Sequence, residues 1–442
     1  MEEHDRIVAG LLARWPEHRV APSLARIAAL CDLMAEPQRS APVVTITGTN
    51  GKGSTAIIID ALLRACGLRT GRFASPHLVD IAERICVDGT PLTAERFDAV
   101  WDETGPLVGL VDERRLEGVP MTFFEVMTGM AFAAFADAPV DAMVLEVGMG
   151  GTWDATSVAD ARVGVLTPID LDHQQYLGDT VESIAREKAG IVKPGTVAVM
   201  ARQQPAAAAV IAEHCARVGA ELVAEGDGFG LLGRQTGAGG QVIRVMTGAG
   251  PVDDLFLPLH GTHMAENAAL AVGAAEALIG RPLSRDTIQA GFDDIVAPAR
   301  LEVVSVRPPI VLDTAHNPHA VRAALAGAEE AFAFAPLVAV LALMADKDVT
   351  GVLEALEEGV NTLVVTQVAD NPRALPVEDL AEAARGIFGA DRVEQAPSSR
   401  DALALATELA RGAGDRAGVL VLGSVYLAGE IASQLAPGVT HR

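Results

Sequence analysis

The chain has 442 residues, half of them apolar, and a formal net charge of −24. That length accommodates two or three domains with packed cores, and a surface this acidic repels phosphate backbones, which argues against nucleic-acid and anionic-membrane partners. Cys31, Cys66, Cys86 and Cys215 have the spacing of neither a disulfide framework nor a zinc site, and the longest apolar run, residues 331–345 with Pro336 inside it, is too short to cross a bilayer.

The start, Met1-Glu2-Glu3-His4-Asp5-Arg6, lacks the basic-then-apolar layout of a signal peptide, so a cytoplasmic protein is expected. Val43 to Thr47 is β-branched and apolar and reads as a buried strand. It runs into Gly48-Thr49-Asn50-Gly51-Lys52-Gly53-Ser54 and then into a core helix from Ser54 to Ala65. Glycines let backbone N–H groups approach phosphate oxygens, the helix offers its positive end, and Lys52 adds a cation. Only Thr49 and Asn50 separate the glycines, so the loop departs from the general pattern with four intervening residues.

A second strand, Ala142 to Val147, carries Glu146 near its end and leads into Gly148-Met149-Gly150-Gly151. A third, Val163 to Thr167, precedes Asp170, Asp172 and His173. Glu146 and His173 could complete a Mg²⁺ sphere with phosphates and water, although imidazole is not a usual ligand of that ion. Lys188, within Arg186-Glu187-Lys188, reads by itself as a solvated helix residue. Residues 225–251 are glycine-rich with one short valine-rich run, as in a hairpin or surface excursion. Strand-like runs at Ile310–Leu312, Leu337–Leu343, Leu363–Val365 and Val419–Leu422 then alternate with helical segments, which places a smaller second α/β domain after a boundary near residue 297. Asn317-Pro318 is a good helix start after Asp313-Thr314-Ala315-His316.

Taken in order, Thr47 to Thr55 (TGTNGKGST), Ser75-Pro76-His77-Leu78, Thr122 to Glu125 (TFFE), Glu146 to Gly151 (EVGMGG), Asp172-His173, Glu187 to Lys193 (EKAGIVK), His316-Asn317-Pro318, Ala345 to Asp348 (ADKD) and Gly423 to Leu427 (GSVYL) closely resemble the dihydrofolate synthase/folylpolyglutamate synthase family of the Mur ligase superfamily. The resemblance implies a P-loop ATP-binding domain with a mostly parallel sheet over residues 1–297, followed by a smaller Rossmann-like glutamate-ligase domain over 298–442. It implies ATP and Mg²⁺ as cofactors, L-glutamate and dihydropteroate or a reduced folate as substrates, and a monomer. Thr49, Asn50, Gly51, Lys52, Gly53 and Ser54, with Asn267, Arg300 and Asp313, match nucleotide-binding positions. Ser75, Glu146 and His173 match the magnesium ligands, and Lys52, Lys188 and His316 match positions close to the reaction, with Lys188 carried as a carbamate. Thr122, Phe123, Phe124 and Glu125 match the pterin-binding stretch, with Trp153 beside them. The usual arginine after Gly151 is Thr152 here, which removes a positive charge close to the pterin site, and Ala299 and Thr314 stand where the family usually has glycine. Two alternatives share the motifs: a relative that couples an amino acid to a non-folate carboxylate, and an ATP-binding paralogue that has lost catalysis.

Overall fold

A computed structural model describes residues 3–16 and 21–435. The chain folds as two compact units. The first comprises Met1–Arg234, Val242–Leu257 and Ala265–Ile295; the second comprises Gln235–Gln241, Pro258–Met264 and Val296–Arg442.

The first unit is built on an eight-stranded sheet. Its strands are β1 (Val43–Thr47), β2 (Thr70–Phe73), β3 (Ile85–Val87), β4 (Thr90–Pro91), β5 (Ala142–Glu146), β6 (Ala161–Leu166), β7 (Val197–Met200) and β8 (Glu221–Ala224), in the order β4-β3-β2-β5-β1-β6-β7-β8. From β2 to β8 every neighbouring pair is parallel, and only β3 and β4 turn back as an antiparallel edge. Strands covered on both faces are apolar throughout, which is why β1 and β5 are buried at every position. One face packs on the helix Phe123–Asp137, whose Val126, Met130, Phe132 and Phe135 join Phe73, Met143 and Leu145 in one core. In a second core, Leu166 and Met200 meet Ile184, Ile191 and Ile211.

The glycine-rich excursion is longer than the sequence suggests. It forms β9 (Gly230–Gly237), β10 (Gly240–Thr247) and β11 (Gly250–Leu257) in that spatial order, and two-residue connections leave room only for antiparallel pairing. Its central strand still alternates, with Ile243 and Val245 buried and Val242 and Arg244 exposed.

The second unit has a six-stranded sheet of β12 (Arg300–Val306), β13 (Pro309–Asp313), β14 (Leu337–Leu341), β15 (Thr362–Val365), β16 (Val393–Gln395) and β17 (Gly418–Leu422), ordered β12-β13-β17-β14-β15-β16. Only β12 is antiparallel to its neighbour. The apolar run 331–345 divides into the end of the helix Pro318–Phe332, a turn, and β14, as its Pro336 implies. Among the described residues, no helix is long and apolar enough to cross a membrane.

A buried ion pair pins the start of the helix Phe123–Asp137. Arg26 Nε donates to both carboxylate oxygens of Glu125 at 3.1 and 3.0 Å, and its Nη2 donates to the carbonyl of Ala21 at 2.6 Å. Both side chains are almost fully enclosed. Removing one partner strands the other charge in the interior, so Arg26→Ala is expected to cost roughly 3–5 kcal/mol. Denaturant unfolding measures this, and a loss under about 1 kcal/mol would mean that water reaches Glu125.

Candidate active site

Four adjacent parallel strands, β2, β5, β1 and β6, end on the same side of the first sheet. Parallel sheets bind ligands in the crevice beyond their carboxyl ends. Glu146 closes β5, and Ser75, the segment 48–54 and His173 follow the ends of the other three strands, so the topology alone brings dispersed sequence motifs to one edge.

The loop after β1 is held tightly. Thr47 Oγ1 donates to the carbonyl of Gly150 at 2.8 Å, Thr49 N to that of Pro168 at 3.0 Å, and Thr49 Oγ1 to that of Asp170 at 2.9 Å. A Cβ at Gly48 would fall on the Thr167 hydroxyl. Gly51 has φ 86°, and a Cβ there would lie 2.7 Å from Asn267 Oδ1. Asn267, distant in sequence, thus lies against the loop, buried on the helix Thr262–Ile279. The helix that follows begins at Lys52, two residues earlier than the sequence indicates. Its N-cap, Gly51, has no side chain to close the first turn, and no acid sits there, so its N–H groups offer themselves to an anion.

Lys188 is not the solvated helix residue that its immediate neighbours suggest. It is 3% exposed, and its Nζ donates to the carbonyl of Gly48 at 2.8 Å. Lys52 Nζ donates to the same carbonyl at 3.1 Å and to that of Thr49 at 3.3 Å. Two ammonium groups therefore meet at one backbone oxygen. Burial first, and then the Lys52 charge, push the Lys188 amine down to about 7, while Asp172, Asp154 and Glu187 pull the other way. A carbamate forms only on a neutral amine, and this one reaches neutrality within the physiological range, so the site suits the modification chemically.

The proposed metal residues are partly drawn together. Ser75 N donates to Glu146 Oε2 at 3.2 Å, joining the ends of β2 and β5. His173 caps the next short helix with φ 52°, and its Nε2 lies 3.9 Å from Asp172 Oδ2. Among the described residues, no group of three His, Cys, Asp or Glu side chains assembles. Glu146 offers the oxygen donor that Mg²⁺ takes alongside phosphates and water, and the Ser75 N–H fixes it, whereas the His173 imidazole is an unusual donor for that ion.

Of the four residues in the expected pterin stretch, three have internal work. Thr122 caps its helix, its hydroxyl accepting from Glu125 N; Glu125 answers Thr122 N and pairs with Arg26; Phe123 is buried beneath the Arg84 guanidinium. Phe124 is the one with an accessible face; its ring lies over Gly148 and 5.5 Å from Phe73. Trp153 is likewise half-buried and packs beside Gly150.

Asp154 is a residue that sequence reasoning missed. Its carboxylate accepts from Gly148 N, Met149 N, Thr156 N and Thr156 Oγ1, which shapes the whole loop after β5. Complete burial lifts its acid up to about 6 against those bonds. An Asp shortly after a Gly-rich strand end was its only signal.

Arg300, Asp313 and His316 form their own group in the second unit. Arg300 sits opposite Asp313 across β12 and β13 and donates to Thr314 Oγ1 and to the Ala299 carbonyl. Asp313 accepts from Leu301 N at 3.1 Å and Ala315 N at 2.8 Å, and His316 Nδ1 donates to the Thr314 carbonyl at 3.0 Å. Ala299 has φ 50°, a left-handed conformation that glycine adopts with less strain.

Known proteins match this chain along nearly its whole length. The Mur ligase middle domain matches residues 93–275, and the Mur ligase glutamate ligase domain matches 299–425. The dihydrofolate synthase/folylpolyglutamate synthase of Mycobacterium tuberculosis is 46% identical over 441 residues, 94% of this chain and 90% of its own. The chain belongs to the dihydrofolate synthase/folylpolyglutamate synthase family. A Bacillus subtilis family member of the same name is 32% identical over 420 residues, covering 94% of this chain and 95% of its own. The structure of Mycobacterium tuberculosis folylpolyglutamate synthase complexed with ADP and AMPPCP superposes with a TM-score of 0.93 at 45% identity, covering 98% of each chain. The mostly parallel first sheet and the second α/β domain are thus the fold of this family.

Proposed function

We propose that this protein is an ATP-dependent ligase that joins L-glutamate to dihydropteroate, to a reduced folate, or to both, releasing ADP and phosphate. The observation that carries the reading is the junction of Lys52, the uncapped helix start and buried Lys188 at the Gly48 carbonyl. In the same reading residues 1–297 bind ATP and 298–442 serve the glutamate step, and the protein works as a cytoplasmic monomer. The break between units at Ile295/Val296 and the glutamate ligase match from residue 299 support that division.

A carboxylate does not react with an amine near neutral pH. In the proposed reaction an acceptor carboxylate oxygen attacks the γ-phosphorus of ATP, the bond to the β-γ bridging oxygen breaks, and an acyl phosphate and ADP result. The glutamate amine then attacks the acyl carbon, and orthophosphate leaves with the bonding pair. Lys52 and the N–H groups of residues 51–54 face charge that spreads over the transferring phosphoryl oxygens. Asn267 keeps Gly51 in place, and Phe124 and Trp153 give a flat heterocycle aromatic faces to lie on. Ser75, Glu146 and His173 would hold Mg²⁺, which supplies positive charge next to the phosphates when bound. On Lys188, CO₂ adds to the neutral amine and one proton is released, leaving a carbamate anion where the protonated amine would be a cation. Arg300, Asp313 and His316 are assigned to nucleotide and glutamate handling by their match to the family's positions.

Label in the acceptor's carboxyl oxygen tests the reading: it should reappear in the released orthophosphate. ADP release that ignores both glutamate and pterin acceptors would overturn it. Phe124→Ala is expected to weaken acceptor binding about tenfold, since a stacked ring contributes roughly 0.5–1.5 kcal/mol beyond its buried area. Titration calorimetry with dihydropteroate and ATP separates the two ligands, and an equal loss for ATP would remove Phe124 from the acceptor site.

A further inference from the structure

The loop after β5 and the end of the helix Val181–Lys188 are fastened to each other by one residue pair. Thr152 N donates to Glu187 Oε1 at 2.9 Å, and Thr152 Oγ1 donates to the Glu187 carbonyl at 3.2 Å. The contact is close on both sides. A Cβ at Gly151 would fall 2.8 Å from the carbonyl oxygens of Glu187 and Lys188, and one at Gly190 would collide with Thr152 Oγ1. The loop is also tied to the phosphate loop, because the Gly150 carbonyl accepts from Thr47 Oγ1. The main chain of Lys188 is therefore wedged against residues 150–152 while its amine reaches the Gly48 carbonyl.

Two of these fastenings are made by the Thr152 and Thr47 hydroxyls, and Thr152 N also donates to the Glu187 carbonyl at 3.3 Å. The Glu187 carboxylate adds the shorter bond to the same N–H. It caps an N–H of a loop that has no strand partner, and it does so one residue before Lys188. From this geometry we infer that Glu187 is a positioning residue: by accepting from Thr152 N it holds the Lys188 amine at the phosphate loop and links that amine to the loop bearing Trp153. The inference rests on the ligase reading for the role of Lys188. It requires an acceptor atom at this place and not a charge, so glutamine, which keeps a carbonyl oxygen there, can substitute.

The test compares Glu187→Ala, Glu187→Gln and Gly151→Ala in the full-length protein. Glutamate-dependent ADP formation gives kcat and KM, and peptide mass analysis after trapping with labelled bicarbonate gives the extent of Lys188 carbamylation. Glu187→Ala should lose at least about tenfold in kcat with KM for ATP unchanged and with less trapped label, and Glu187→Gln should recover most of both. Gly151→Ala, which pushes the loop off the Lys188 turn, should behave like Glu187→Ala. Two outcomes would overturn the inference: full activity and full labelling in Glu187→Ala, or a Glu187→Gln protein as impaired as the alanine one. A wild-type protein that ligates glutamate but traps no label would instead count against the carbamate, and one that ligates no glutamate would count against the function.

Discussion

Replacing Lys188 with alanine is expected to lower turnover by roughly 10²–10³, the range for losing one preorganised electrostatic group next to a reacting phosphoryl centre. ATP affinity should change little, because the loop amides and Lys52 remain. The position of the amine carries this expectation: Nζ is buried, sits 2.8 Å from the Gly48 carbonyl, and shares that oxygen with Lys52. A lysine that served only to fill the interior would tolerate methionine, so Lys188→Met with near-normal turnover would sink the role. The pH behaviour follows from the same site. The folded amine sits at about 7 against an ordinary 10.5, so between those values the unfolded chain holds a proton that the folded protein has released. In carbon-dioxide-free buffer, stability should therefore rise with pH through that window, and the buried cation costs most below pH 7. Carbamylation needs the neutral form, so trapped label should fall as pH drops through about 7 and return with bicarbonate above it. A label yield flat across that value would remove the neutral amine from the account.

Why Lys188 looks ordinary in the sequence has a physical answer. Its neighbours Arg186 and Glu187 are charged, and helical periodicity cannot reveal that a loop 140 residues earlier in the chain covers one position. Burial there is a tertiary fact. The strands behave differently: β1, β5, β13, β14, β15 and β17 are apolar runs with glycine, proline or a polar residue on at least one side, and each is legible to within about two residues. The excursion after residue 225 is legible only in its valine-rich centre, because β9 is mostly exposed, β11 is half exposed, and neither has a full apolar face. Likewise β12 hides as a strand, since it is the sheet edge and two register shifts break its alternation. At the candidate site, residue types and order point to phosphates. Which residues have spare faces, such as Phe124 and Trp153, and which are consumed by the fold, such as Thr122, Phe123 and Glu125, emerges only from packing.

Lys52→Ala should have two measurable consequences that move through different observables. The first is nucleotide affinity. Lys52 Nζ donates to the carbonyls of Gly48 and Thr49, neutral acceptors that give way readily to a charged phosphate oxygen. A charge-assisted bond of that kind contributes roughly 1.5–3 kcal/mol, so the dissociation constant for ATP should rise about 10- to 100-fold. An unchanged constant would mean that the loop amides alone hold the phosphates. The second consequence lies at Lys188. After burial, the Lys52 charge is the largest influence holding that amine down, so its removal should raise the amine toward the ordinary lysine range. The pH at which label enters Lys188 should then shift upward in Lys52→Ala, even though the protein binds nucleotide poorly. An unchanged value would mean that the two ammonium groups do not feel one another across the Gly48 carbonyl, and the charge pairing at the centre of the site would have to be redrawn.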